Sequence, residues 1–184
     1  DRALAAARTA VDKDPTNHKA NQALASALCF RQEHAAAAAA AERTIALNPF
    51  DACAKVYMGG VLMSGGSWDR GAAWVREALP LNPDHPGWYW FLLFCDAYRR
   101  GDYRGALEHA LQINMPAYIS GHVALAAAYG QLGDEAAATK ALRDLLALRP
   151  DFAKVAEQEI GKTWDASLTA ALIDGLRKAG LDAP

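Results

Sequence analysis

The chain has 184 residues, of which 52% are hydrophobic, and a formal net charge of −2. This composition supports a continuous core and argues against disorder, and the near-neutral charge argues against nucleic-acid binding, which needs a basic surface. No apolar run approaches the roughly 20 residues of a membrane-spanning helix, and no signal peptide precedes the first helical residues. We therefore expect a cytoplasmic segment of a longer protein, with no membrane or nucleic-acid partner.

A proline closes each predicted helical run at nearly constant spacing. Five of the eight prolines form this series, and neighbouring members of the series are separated by 34, 34, 33 and 34 residues. They are Pro15, Pro49, Pro83, Pro116 and Pro150. A proline can follow a helix but cannot continue it, and 34 residues is the period of the tetratricopeptide (TPR) repeat, a pair of antiparallel helices. The sequence therefore resembles a TPR array.

The array begins partway through a repeat. Counting back from Pro15 places Ala3 and Ala10 at small-residue positions of a second helix, so residues 1–14 are predicted to be a second helix that lacks its first helix. The predicted organisation is a partial repeat, four full repeats and a cap. The ranges are 1–17 for the partial repeat, about 18–51, 52–86, 87–118 and 119–152 for the full repeats, and 153–184 for the capping helices.

Two kinds of small residue recur inside the repeats. Small residues at positions 8 and 20, such as Gly59 and Gly71 of the second full repeat, let the two helices approach closely. Glycine at position 15, present as Gly66 and Gly133, permits the left-handed backbone that ends the first helix. Both features predict tight helix pairs.

The third full repeat departs from this pattern. Counting back from Gly101, Phe94 takes the small position 8 and Ala97 takes the large position 11. The second helix is predicted to end early, at Ile113, before Pro116. We expect helix crossing here to differ from the standard repeat, and the aromatic residues of this segment make it the preferred location for binding.

The C-terminal residues leave the 34-residue period. Two final helices are predicted at 152–162 and 166–179, with Asp165 as N-cap and Gly180 as the C-terminal glycine. Such helices hide the last apolar face of an array. The predicted fold class is all-α: a right-handed superhelical TPR solenoid of antiparallel helix pairs with a C-terminal helical cap.

The TPR resemblance implies a concave groove, lined by the first helix of each repeat, that takes a protein or peptide partner. The candidate groove residues are Gln22, Tyr57, Met63, Trp88, Phe91, Tyr98, Arg99 and Gln131. Aromatic and arginine side chains are enriched at interface anchors, although Trp88 and Phe91 also suit packing within the solenoid. The Lys and Asn residues of carboxylate-clamping TPRs are replaced by Gln22 and Ser26, so that clamp is not predicted.

No pattern predicts catalysis, a metal or a cofactor. None of the five histidines lies in an HExxH motif, and neither a GxSxG motif nor a phosphate-binding glycine loop is present. The three cysteines, Cys29, Cys53 and Cys95, are odd in number and form no CxxC pair. We expect reduced cysteines that pack as small apolar side chains.

A narrower resemblance involves three stretches, NPDHPGWY at 82–89, YRRGDY at 98–103 and GLRKAGL at 175–181. They resemble TPR regions C-terminal to bacterial class III adenylate or guanylate cyclase domains. That resemblance implies a regulatory interaction module of a bacterial signalling protein whose parent is an enzyme, whereas this chain is not. Two further hypotheses are a small-molecule sensor that uses the aromatic groove of the third repeat and a homo-oligomer formed through the exposed N-terminal helix.

Overall fold

The computed structural model describes residues 2–182, and over these residues the chain forms eleven α-helices and no strand. The all-α prediction is confirmed. The helices are α1 (Arg2–Lys13), α2 (His18–Phe30), α3 (His34–Leu47), α4 (Ala52–Ser64), α5 (Trp68–Leu81), α6 (Tyr89–Arg99), α7 (Tyr103–Ile113), α8 (Ile119–Leu132), α9 (Glu135–Leu148), α10 (Phe152–Gly161) and α11 (Ala166–Lys178). No described helix is long and apolar enough to cross a bilayer.

The chain divides into two compact units, residues 1–85 and 86–184. We call them the N-terminal unit, with α1–α5, and the C-terminal unit, with α6–α11. Helices α10 and α11 belong to the same compact unit as α6–α9. The division into an array and a cap stays a prediction. The predicted repeat boundaries remain a prediction about register.

In the N-terminal unit, consecutive helices pack as pairs, α2 with α3 and α4 with α5, and α1 packs on α2. Small residues set the pair distance. A Cβ atom added to Gly59 of α4 would lie only 2.8 Å from the carbonyl oxygen of Gly71 of α5. In the preceding pair the same positions are Ala25 and Ala37, both essentially inaccessible. The predicted role of positions 8 and 20 is thus confirmed at the second full repeat.

In the C-terminal unit, α6 pairs with α7 and α8 pairs with α9. Helix α7 has 11 residues, against 14 for α9, and ends at Ile113 as predicted. Phe94 and Ala97, the two residues that exchange sizes in this repeat, are both buried. Helix α11 then packs on α8 and, less extensively, on α6.

The turns after the first helices have the predicted left-handed backbone conformation at Gly66 and Gly133, whose φ angles are +87° and +73°. The equivalent residue of the first full repeat is Gln32, which adopts φ +61° without the freedom of glycine. The cap also begins as predicted, because the Asp165 side chain accepts a hydrogen bond from Leu168 N at 2.9 Å. Gly180 follows α11 with φ +100°.

Candidate partner-binding surfaces

Helices α2 and α4 of the N-terminal unit are joined at both ends. Lys19 Nζ donates to Asp51 Oδ2 at 2.7 Å near their N-termini, and Cys29 Sγ lies 3.0 Å from Ser64 Oγ at their C-termini. Because like ends are joined, the two helices run side by side in the same direction. The exposed surface that they share is called the α2–α4 face. Its residues are Lys19, Gln22, Ser26, Cys29, Phe30, Cys53, Tyr57, Gly60 and Ser64.

The N-terminal end of the α2–α4 face is polar. Asp51 caps α4 by accepting from Ala54 N at 2.9 Å, and His18 Nε2 lies 3.3 Å from Asp51 Oδ2. Partial burial acts to raise the pKa of Asp51, but hydrogen bonds from Lys19, Ala54 and His18 outweigh it and lower that pKa. Gln22 Oε1 accepts from Lys19 Nζ at 3.3 Å. This end is therefore a set of mutually bonded groups built around one carboxylate.

The C-terminal end of the face carries small polar side chains followed by an aromatic one. Ser64 Oγ donates to Val61 O at 3.0 Å, so it accepts from the Cys29 thiol. Next to Cys29, Phe30 is 81% exposed, which is unusual for a phenylalanine. Phe30 is not among the groove residues that were predicted from the sequence. Its signal was its position at the last residue of α2, where no following turn covers it.

Two residues predicted for the groove on α4 have different environments. Tyr57 is 49% exposed on the α2–α4 face. Met63 is 1% exposed, and its side chain lies against Gly71 of α5. Gly71 leaves room for that side chain, so Met63 belongs to the helix-pair core. Phe50, in the turn before α4, is 77% exposed and was not anticipated.

In the C-terminal unit, α11 covers the corresponding face of α6 and α8. The hydroxyl of Tyr98 donates to Ala171 O of α11 at 3.1 Å. Gln131 Nε2 donates to Asp174 Oδ2 at 2.9 Å and its Oε1 accepts from Lys178 Nζ at 2.7 Å. Tyr98 is buried, which raises the pKa of its phenol. Both predicted groove residues therefore contact a helix of their own chain.

Glycine residues allow α11 to approach α8 closely. A Cβ atom on Gly175 of α11 would lie 2.7 Å from Ala127 O of α8. A Cβ atom on Gly130 of α8 would lie 3.0 Å from Ala179 N. The apolar side of α11 is buried at Leu172 and Leu176. The backbones of α8 and α11 therefore meet where neither carries a side chain.

The aromatic residues of the third full repeat pack within the C-terminal unit. The ring of Phe91 lies 5.8 Å from that of Phe94, 6.0 Å from that of Tyr118 and 6.5 Å from that of Trp164, between centroids. Trp88 meets Tyr89 edge-on at 4.6 Å. Phe91 and Trp88 are each half-buried. These contacts favour the packing role that the sequence left open.

Arg99 is bonded to a buried carboxylate. Its guanidinium donates to Asp96 Oδ1 at 3.0 Å, and Arg100 lies 3.0 Å from Asp96 Oδ2. Asp96 is 1% exposed, so its charge requires such partners. The two arginines therefore compensate one buried acid.

The described residues bring together no group of three or more His, Cys, Asp or Glu side chains that could hold a metal ion. Cys95 is buried on α6, and that burial raises the pKa of its thiol. A thiol in such a site is a poor nucleophile because the thiolate is the reactive form. Cys95 is thus a packing residue.

No family model and no curated protein sequence matches the chain. Solved structures do. A chain of the Cut9–Hcn1 hetero-tetramer of the APC/C superposes with a TM-score of 0.72 at 18% identity, covering 96% of this chain and 36% of that chain. MamA gives 0.61 at 16% identity, covering 85% and 92%. YrrB, described as a TPR protein with an unusual peptide-binding site, gives 0.62 at 14% identity, covering 95% and 93%.

These similarities extend over nearly the whole chain, although the chain spans only about a third of the length of the Cut9–Hcn1 chain that it matches. At identities below 20% they show the fold alone. The eleven helices of the described residues, their pairing and these superpositions agree. The chain has an all-α fold of the TPR solenoid type.

Proposed function

We propose that the chain is a non-catalytic protein-interaction module that binds a peptide or protein segment on the α2–α4 face. The observation that carries this proposal is the contrast in coverage. The α2–α4 face keeps Phe30 and Tyr57 exposed. In the C-terminal unit α11 contacts Gln131, which takes the repeat position of Phe30, and also the predicted groove residue Tyr98. YrrB, which shares the fold, is described as having a peptide-binding site, which supports this class of function.

The shape of the face supports a segment lying along the two helices. Between the two end contacts, Ser26 has a small side chain and Gly60 has none, so no large side chain projects from the middle of the face at these two positions. Phe30 and Tyr57 stand beside it as large exposed groups. Aromatic side chains provide contact area at low entropic cost and are common hot spots. We expect a partner segment with at least one apolar anchor between them.

The test is selection of peptides on the immobilised chain, followed by NMR titration of the best binder. The amide signals of Gln22, Ser26 and Gly60 should shift, and Phe30→Ala with Tyr57→Ala should weaken binding about tenfold or more. Leu148→Ala is the matched control, since Leu148 is 43% exposed in the C-terminal unit. Peptides that bind the double variant as tightly as the wild type would place the site elsewhere.

A finer assignment, as a cytoplasmic regulatory module of a bacterial adenylate or guanylate cyclase or related signalling protein, depends on the three sequence stretches alone. None of the solved structures named above is a cyclase. The reading frame of the gene upstream of Asp1 tests it directly. A class III catalytic domain there would support the cyclase assignment, another signalling domain would support only the related signalling protein, and a domain with no signalling role would contradict both.

The small-molecule sensor is the alternative proposal. It requires a ligand to enter among rings that already contact each other, such as Phe91 and Phe94. A ligand at 100 times its dissociation constant adds about 2.7 kcal/mol to the free energy of unfolding. A thermal-shift screen of metabolites, repeated on Phe91→Leu, would detect it; no shift across the panel would argue against a sensor.

Self-association through α1 is a further proposal. Ala3 and Ala10 are exposed, whereas the same repeat positions are buried in α3, as Ala37 and Thr44. Light scattering at several concentrations tests it. A mass that rises with concentration in the wild type but not in Ala3→Glu would support an α1 interface, and a constant monomer mass would exclude one.

A further inference from the structure

The C-terminal unit holds a helix on a pair of first helices that is built like the pair α2 and α4. This helix is α11, and it contacts α6 and α8 through small residues spaced four apart. They are Ala171, Gly175 and Ala179. A Cβ atom added to Gly175 would lie 2.7 Å from Ala127 O of α8. One added to Gly130 of α8 would lie 3.0 Å from Ala179 N. The chain therefore shows that a helix can approach these first helices backbone to backbone.

The α2–α4 face has small residues at the same repeat positions. The α8 residues that meet α11 take positions 9 and 12 of their repeat. On α2 these positions hold Ser26 and Cys29, and on α4 position 9 is Gly60. Met63, at position 12 of α4, is buried and packs toward α5. At these positions the face therefore carries no side chain larger than that of cysteine.

The hydrogen bonds of the α2–α4 face favour a helix over an extended segment as its occupant. At one end Lys19 bonds to Asp51 and to Gln22. At the other end Cys29 bonds to Ser64. An extended segment brings a backbone donor or acceptor at every residue, and burying such groups without partners is costly. These side chains could pair with them only by giving up existing hydrogen bonds, whereas a helix pairs its own backbone groups.

The edges of the two faces call for different side chains. At position 13 of α8, Gln131 bonds to Asp174 and Lys178 of α11. Position 13 of α2 is Phe30, which is 81% exposed. Tyr57 of α4 adds a second exposed ring. A helix on the α2–α4 face therefore needs a large apolar side chain where α11 has its charged pair.

We propose that the partner of the α2–α4 face is an amphipathic α-helix. It presents small residues spaced four apart to Ser26 and Gly60, and a large apolar side chain to Phe30. The small residues allow the close approach that α11 makes to α8, and the apolar side chain shields the exposed ring from water. This inference rests on the proposed function, because it names the conformation and chemistry of the partner of that same face.

The first test uses the tightest peptide selected on the immobilised chain. The substituted residue is one near its middle whose replacement by alanine leaves the affinity unchanged, so that the loss of a side chain plays no part. Proline there should weaken binding about tenfold or more, because it breaks a helix. α-Aminoisobutyric acid, which favours the helix before binding, should strengthen it about threefold.

The outcomes separate this inference from the proposed function. A peptide that tolerates the proline but loses affinity for the Phe30→Ala, Tyr57→Ala double variant would overturn the helix and leave the proposed function standing. A peptide that binds the double variant as tightly as the wild type would contradict the proposed function as well.

The second test probes the close approach from both sides of the contact. Gly60→Ala places a methyl group between the helices and should weaken the selected peptide about fivefold, whereas Gly161→Ala on α10 is the matched control and should leave affinity unchanged. On the peptide, leucine in place of the small residue that NMR locates nearest Gly60 should weaken binding about tenfold, whatever the variant protein's stability. Unchanged affinity in either experiment would refute the backbone contact.

Discussion

The two units differ in whether the groove-side face of their repeats is covered by another helix. In the N-terminal unit Phe30, on the α2–α4 face, is 81% exposed. In the C-terminal unit Gln131 takes the same repeat position on α8, but it is hydrogen-bonded to Asp174 and Lys178 of α11. The repeat position of a residue therefore does not decide whether it is available to a partner. Availability depends on whether another helix has a complementary surface.

The largest loss of stability should come from disrupting the packing of α11 on α6 and α8. Gly175→Leu forces a side chain into the space where a Cβ atom alone would lie 2.7 Å from Ala127 O. Overpacking of this kind should lower the free energy of unfolding by about 3 kcal/mol. Urea denaturation followed by circular dichroism measures it.

Gly161→Ala on α10 is the matched control, because its Cβ atom would have nothing closer than 3.9 Å. It should change stability by less than about 1 kcal/mol. Equal losses in Gly175→Leu and Gly161→Ala would mean that the α8–α11 contact is not close-packed, and the contrast between the two units would then fail.

A smaller effect should follow from removing the Tyr98 hydroxyl. Tyr98→Phe loses the hydrogen bond to Ala171 O and should cost about 1 kcal/mol at pH 7. Burial raises the pKa of Tyr98 above the value of about 10 that is usual for a phenol, so the native state keeps the proton while the unfolded state releases it. The wild type should therefore lose stability above about pH 10, by up to roughly 1.4 kcal/mol per pH unit.

That additional loss disappears in Tyr98→Phe, so the stability difference between the two proteins should shrink as pH rises above 10. Tyr57→Phe, on the open face, is the control and should retain the pH dependence of the wild type. Unfolding curves between pH 8 and 11 compare the three proteins. A difference that stays constant over this range would show that Tyr98 is as accessible as a residue of the α2–α4 face.

The turns after the first helices provide a third comparison between the two units. Gly133 in the C-terminal unit and Gln32 in the N-terminal unit occupy the same repeat position, with φ +73° and +61°. Gln32→Gly should raise the free energy of unfolding by about 0.5–1 kcal/mol, because relief of left-handed strain exceeds the entropy cost of glycine. Gly133→Ala should lower it by about 1 kcal/mol. Thermal denaturation measures both, and a destabilised Gln32→Gly would contradict the strain.

Much of the fold follows from local signals in the sequence. The prolines and Gly66 punctuate the helices because their backbone preferences act within a few residues, and Asp165 caps α11 for the same reason. The coverage by α11 could not be predicted this way. It depends on Gly130 and Gly175, which are far apart in sequence, and only Gly130 lies within the repeat period. Glycine inside a helix lowers helix stability unless it serves packing. The presence of these two glycines within predicted helices was therefore the sequence signal of a close helix contact.

The candidate surface was predicted only in part for a related reason. The family positions assume that every first helix has an open face, which holds for Gln22 and Tyr57 but not for Tyr98 or Gln131. Met63 lies at a groove position, yet Gly71 provides space on the other side and the flexible side chain packs there.

The smallest effect on stability should come from filling the open face. Ser26 lies half-buried in the middle of the α2–α4 face, so Ser26→Leu should change the free energy of unfolding by less than about 0.5 kcal/mol. The same substitution should weaken a peptide selected on this face about tenfold, since the side chain occupies its path. Ala170→Leu, which adds the same kind of bulk to the exposed side of α11, should leave peptide affinity unchanged. Peptide binding that tolerates Ser26→Leu would mean that an uncovered face is not by itself a binding site.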